Sequence, residues 1–202
     1  MKFKNQILII GSLLNLLFSQ CAAPHYNCDY QTPKVLDFRK GKWLINVIET
    51  DLNTYKAREL LNKNFVSKFK KIGGNYIYFI DDIRMKYSLP NEMPFSTPPE
   101  NIELLKLTTE FNYLVNIKTS KIKNDLHDIY LTAPLSYGKS EAETEIVIYE
   151  IKTGEIIFSQ RTVGSVTLNE NDRNIRFAKS AEGLTFSTIN KALREIKKNA
   201  IK

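Results

Sequence analysis

The chain has 202 residues, 43% of them apolar and 25% charged, with a formal net charge of +7 and two cysteines. That length and balance are ordinary for one globular domain with its own core, which needs no metal or disulfide staple. The two histidines, His25 and His127, lie far apart and no standard metal-ligand spacing is present, so no cofactor is implied.

The first twenty residues read as an export signal. Lys2 and Lys4 precede an apolar run, Ile7 to Phe18, which is too short to span a bilayer that takes about 20 residues. Cys21 follows directly, where a lipoprotein carries its acylated cysteine, but Gln20 is larger than the residue lipidation prefers there. Cleavage before Gln20, with Leu17 and Ser19 at −3 and −1, leaves Cys21 free to pair with Cys28 in an oxidising compartment. Both endings stay open: lipidation at Cys21, or a Cys21–Cys28 disulfide. Without residues 1–19, which hold two lysines and no acid, the remainder carries +5. An exported chain rarely meets nucleic acid. The excess suits anionic lipid headgroups, acidic wall polymers, or a plain Lys- and Asn-rich composition.

Residues 21–41 hold Pro24 and Pro33 with few apolar side chains and read as a flexible tether, leaving 42–202 as one α/β domain. Trp43 to Thr50 is a first strand, apolar on both faces. Asn53 can cap a helix to about Ile72, with Leu61, Phe65, Phe69 and Ile72 on its buried stripe and Gly73-Gly74 at its end. Lys56, Lys63 and Lys70 form a second stripe, as a solvated outer face would. Tyr76 to Ile80 is the next strand, parallel to the first by the crossover rule. Asp81 and Asp82 beyond it are expected to cap the following turn rather than to do acid–base chemistry.

Leu89 to Pro99 contains Pro90, Pro94, Pro98 and Pro99, a density no regular element survives. Its apolar Met93 and Phe95 are expected to pack back on the domain, yet they are also the first candidates for a partner contact. A short helix follows, capped at Thr97 and running to about Phe111, then a half-exposed strand from Tyr113 to Lys121. Asn124 to Glu143 is a long connection. Its Asp125, His127 and Asp128 match no standard metal spacing. Thr144 to Ser165 is the clearest hairpin, with Gly154 supplying the positive φ of its turn. A final helix spans about Arg176 to Lys198. The result is α/β (α+β): a single mixed sheet of about five strands under about three helices, in the order β-α-β-α-β-β-β-α.

That order, the strand Tyr113-Leu114-Val115 after the second helix, and the hairpin Tyr149-Glu150-Ile151-Lys152-Thr153-Gly154-Glu155-Ile156-Ile157 carry a resemblance over residues 43 to 198. The chain resembles the envelope lipoprotein domain shared by the curli-secretion protein CsgG, the amino-terminal domain of TolB, and LpoB-type activators of penicillin-binding proteins. It departs from them at Asn116 and Lys118, where a glycine is usual, and at Gln20. The resemblance implies no catalytic residues. It points to an exported bacterial cell-envelope protein, in the periplasm or outer membrane, that binds a protein partner or assembles. The alternatives are a subunit of a secretion-type oligomer and an exported hydrolase using Asp81, Asp82 or His127. The hydrolase lacks a nucleophile in a recognisable setting.

Overall fold

The structure, a computed structural model, describes residues 23–32, 35–91, 93–124, 138–168 and 179–201. Seven strands form one mixed sheet: β1 (His25–Thr32), β2 (Trp43–Ile45), β3 (Glu49–Thr50), β4 (Ile77–Phe79), β5 (Tyr113–Asn124), β6 (Gly138–Glu150) and β7 (Ile156–Leu168). Their order is β1-β7-β6-β5-β2-β4, with β3 also on β5. The helices are α1 (Tyr55–Gly73), α2 (Ile80–Tyr87), α3 (Pro99–Thr108) and α4 (Ala181–Asn199). The mixed sheet is as expected, and β2, α1 and β4 make the parallel strand-helix-strand unit. The segment 125–137, with Asp125, His127 and Asp128, lies outside the described residues, as do the export segment and Cys21.

Two apolar layers hold the sheet. On one face α1 and α4 lie side by side, and Leu61, Phe65, Phe69, Ile189, Leu193 and Ile196 meet Trp43, Ile45, Val115, Ile146 and Phe158. On the other, α2 and α3 place Ile80, Ile102 and Leu105 against Leu44, Leu114 and Ile151. The expected stripe of α1 is therefore the buried one. Its N-cap is Thr54 rather than Asn53, with the hydroxyl accepting from the Ala57 N–H, and Gly74 at φ 77° closes it. In the hairpin, Gly154 takes φ 74° and donates its N–H to the Glu150 carbonyl.

Four features differ from the sequence expectation. Residues 25–32, read as tether, are an edge strand antiparallel to β7. Tyr26 and Cys28 alternate as half-buried positions there, and Leu36 and Phe38 beyond them are core residues. Polar composition hid an alternation of period two. Secondly, the strand expected over Trp43–Thr50 breaks after Ile45. The Val47 N–H donates to the Asn46 side-chain oxygen and the Ile48 N–H to that of Asn62, so side chains replace a neighbouring strand. Thirdly, α2 occupies residues placed in a turn. Lastly, β5 is interior rather than half-exposed: Leu114 through Ile117 and Thr119 are all buried.

The Cys28 edge is tied down by charge. The Tyr30 hydroxyl donates to Glu195 on α4 at 3.3 Å, and Lys191 and Lys198 each reach the same carboxylate at 2.8 Å. The two ammonium groups hold Glu195 down at about 2. Burial first, and then Glu195, push the Tyr30 phenol up to about 12. A carboxylate depressed by folding stabilises above its ordinary value near 4.5 and loses that contribution as pH falls toward 2. Glu195→Gln should cost about 1 kcal/mol at neutral pH, the scale of a partly exposed ion-pair group. Thermal melts of the two proteins should converge between pH 4.5 and 2.

Candidate interaction site

The strands β2, β4 and β5 run parallel, and their carboxyl ends share one edge of the domain. In open α/β sheets ligands bind outside such ends. Here the edge carries the proline loop, 89–98, and a groove beside α1. Nothing in the loop's own sequence gives it a regular conformation, so what holds it must come from the sheet.

Two buried amides do so. Asn46, the residue just past β2, and Asn116 on β5 are 2% and 0% exposed and stand side by side. One Asn46 side-chain N–H donates to the Met93 carbonyl at 2.8 Å and the other to the Asn116 side-chain oxygen at 3.1 Å. Asn116 in turn donates to the Phe95 carbonyl at 2.7 Å and to the Thr97 hydroxyl at 2.5 Å. Both N–H groups of each amide are used, and the Asn46 oxygen accepts from Val47. Three alternate loop residues, Met93, Phe95 and Thr97, are thus pinned to the sheet. Glu49 accepts from the Phe95 N–H at 3.3 Å, and a hydrogen bond from Lys118, chiefly, holds its carboxyl below the ordinary value. At the loop's start, the Arg84 guanidinium reaches the Pro90 carbonyl and pairs with Asp81.

The pinning divides the two residues singled out for partner contact. Met93 is 7% exposed and belongs to the second core layer, so it packs on its own domain and offers no contact surface. Phe95 remains half-exposed between exposed Pro94 and Ser96. Asp81 and Asp82 lie in the first turn of α2, where the helix dipole favours acids. Asp81 is engaged with Arg84 at 2.6 Å. Cys28 has no disulfide partner among the described residues, and the Thr162 hydroxyl donates to its sulfur at 3.7 Å. Among the described residues no group of three or more His, Cys, Asp or Glu is placed to hold a metal ion, and no helix is long and apolar enough to cross a membrane.

The groove has a volume of about 820 Å³ and runs along α1, with Val47 and Phe79 as apolar lining and Asp81 and Asp82 opposite. Tyr55, Arg58, Lys63 and Val66 line the α1 side. A second hollow of about 740 Å³ lies at the far end of the sheet, between α3 and the Thr153-Gly154-Glu155 turn. Sequence reasoning missed Asn46 and Asn116 as the residues that hold the loop. Asn116 registered only as a departure from glycine, although an asparagine amid apolar strand neighbours is itself a signal of a buried polar network.

No family model matches the chain, and no curated protein matches it in sequence. Solved structures do match in fold. The chain aligns with PelC of Paraburkholderia phytofirmans, solved as a dodecamer, over 88% of its own length and 100% of PelC, with 12% identity and a TM-score of 0.51. This is a likeness of fold. More distant matches include a lipoprotein from Neisseria meningitidis (9% identity, 77% of this chain and 95% of that one, TM-score 0.39) and the LpoB C-terminal domain from Salmonella enterica (15%, 64% and 83%, TM-score 0.33). At such scores they carry no argument of their own.

Proposed function

We propose that this chain is an exported protein of the bacterial cell envelope, in the periplasm or at the outer membrane, which acts without catalysis by binding a protein partner. The observation that carries the reading is the pinned loop. A segment with four prolines is held by two buried amides in one conformation, and that conformation leaves Phe95 available at the carboxyl edge of the sheet. A preorganised loop loses little conformational freedom on binding, which is how a small aromatic contact becomes strong. Lys2, Lys4 and the apolar run to Phe18 support export. The anchor is either lipid at Cys21 or none, with Cys21 paired to Cys28.

The partner contact is tested at Phe95. Phe95→Asp should change stability by no more than about 1 kcal/mol, because the ring is half-exposed. It should lower recovery of the partner complex from gently solubilised envelopes at least tenfold (about 1.4 kcal/mol). Undiminished recovery with an unchanged melting temperature contradicts the reading.

A second reading, assembly from copies of this chain, is favoured by the fold shared with the PelC dodecamer. Among the described residues the sheet also ends in β1 and β4, and strand edges are the kind of surface copies join through. Native mass spectrometry of the full chain in detergent distinguishes the two. A ring gives one discrete multiple of the chain mass, and a strict monomer ends this reading.

A further inference from the structure

The charge of this protein is concentrated in one layer. The two helices α1 and α4 hold ten of the chain's 29 basic residues and three of its 22 acidic ones, which leaves nineteen of each sign elsewhere. The whole formal excess of +7 therefore sits on the face these two helices share. α1 alone has six cations against Glu59.

Helix stability accounts for only part of this. Lys70 and Lys71, and Lys197 and Lys198, occupy last turns, where the dipole favours cations. Lys56 and Arg58 sit in the first turn of α1, which holds no acidic residue, and there the dipole disfavours them. Lys56, Leu60, Lys63, Ser67 and Lys70, spaced by four, three, four and three residues, form one exposed stripe about 21 Å long. Of its lysines only Lys63 has an ion-pair partner among the described residues, Glu59 at 2.6 Å. Apolar groups are set within the basic field: Leu60 is 57% exposed at the centre of the stripe, and Tyr55 is 81% exposed at its start.

We infer that the α1 face is a docking surface for an anionic lipid bilayer. Charge complementarity selects the occupant's sign, and the exposed leucine and tyrosine select its kind. A soluble polyanion has no use for an apolar side chain between lysines. A bilayer receives it at the boundary of headgroups and acyl chains, while the lysines meet the phosphates around it. Docked in this way, the domain turns α3 and the Phe95 loop, on the opposite face of the sheet, away from the membrane, while Asp81 and Asp82 border the stripe across the groove. The assignment stands on charge and exposure alone and does not depend on the protein-binding reading above.

The test is flotation of the full chain with vesicles of phosphatidylethanolamine and phosphatidylglycerol, compared with phosphatidylcholine vesicles. The apolar N-terminal segment contributes to both, so the difference between them reads the basic face. The wild-type chain should show a clear anionic increment that disappears at high salt. Lys56→Gln, Lys63→Gln and Lys70→Gln together should reduce it about a hundredfold, each lysine contributing about fivefold. Lys106→Gln with Lys152→Gln, away from α1, should leave it intact. Circular dichroism checks that each variant is folded. Should the triple variant not fold, the single variants decide, each with its own expected fivefold loss. No increment, or one unchanged by the α1 substitutions, overturns the assignment. So does an increment that soluble polyglutamate abolishes at matched charge while Leu60→Ser has no effect, which would identify an acidic polymer as the ligand instead.

Discussion

Asn116→Leu is expected to lower stability by about 3 kcal/mol and to release the proline loop. The substitution keeps the volume and removes every hydrogen bond of the amide. The Phe95 carbonyl loses its Asn116 donor, the Thr97 hydroxyl loses another, and one Asn46 N–H is left facing a methyl group. Each polar group orphaned in a dry interior costs about 1–3 kcal/mol. For a domain of this size that is a fall in melting temperature of roughly 6–12 °C. Stability alone does not separate loop release from a general loss of packing, so limited proteolysis is the companion measurement. Cleavage between Asn91 and Ser96 should become rapid in the folded variant. Because Asn46 and Asn116 share one hydrogen bond, the double replacement should cost less than the sum of the singles, by about 1 kcal/mol. Additive losses, or a loop as resistant as before, argue that the amides do not hold it.

Phe69→Ala is the larger effect in energy and the contrasting one in kind. Phe69 is fully buried, stacks on Phe65 at a ring distance of 5.4 Å and meets Phe38 edge-on at 5.3 Å. Deleting such a ring costs about 4 kcal/mol, from lost transfer energy and from the cavity left behind. Phe38 lies between the Leu36 bridge to Ala200 and Trp43, whose ring it contacts at 4.5 Å. The cavity therefore loosens the α1–α4 layer together with the segment leading into β2. The proline loop is held from the other face of the sheet, so its resistance to proteolysis below the melting temperature should not change. Melting with a native-state proteolysis assay checks both halves of this statement.

The periodic parts of the fold were legible without a structure. The stripe Leu61, Phe65, Phe69 located α1, and the two β-rich runs around Gly154 located the hairpin, because burial on one side leaves a period that composition cannot hide. Three parts were not legible, for separate reasons. β1 alternates polar with half-buried residues, so its pattern carries little hydrophobic contrast, and its pairing with β7 is a contact between distant residues. α2 is eight residues long and follows β4 without a break, so nothing in Ile80–Tyr87 marks a boundary. The strand from Trp43 stops because Asn46 and Asn62 supply hydrogen bonds, a three-dimensional fact with no period at all. The candidate site lay partly in view. Phe95 and Met93 both stand out by their apolar character among prolines, and only burial tells the two apart. The asparagines that fix the loop are single polar residues whose meaning depends on being neighbours across β2 and β5.

Whether the Phe95 edge meets another protein in the cell is decided by photocrosslinking. A photoreactive phenylalanine analogue at position 95, in the otherwise intact exported chain, should give one discrete adduct under illumination. The same analogue at Tyr76, beside β4 and exposed, should give none, and Asn116→Leu should abolish the adduct from position 95. The mass of the captured peptide then names the partner, or shows it to be a second copy of this chain. No adduct from position 95, or equal adducts from 95 and 76, would contradict the account.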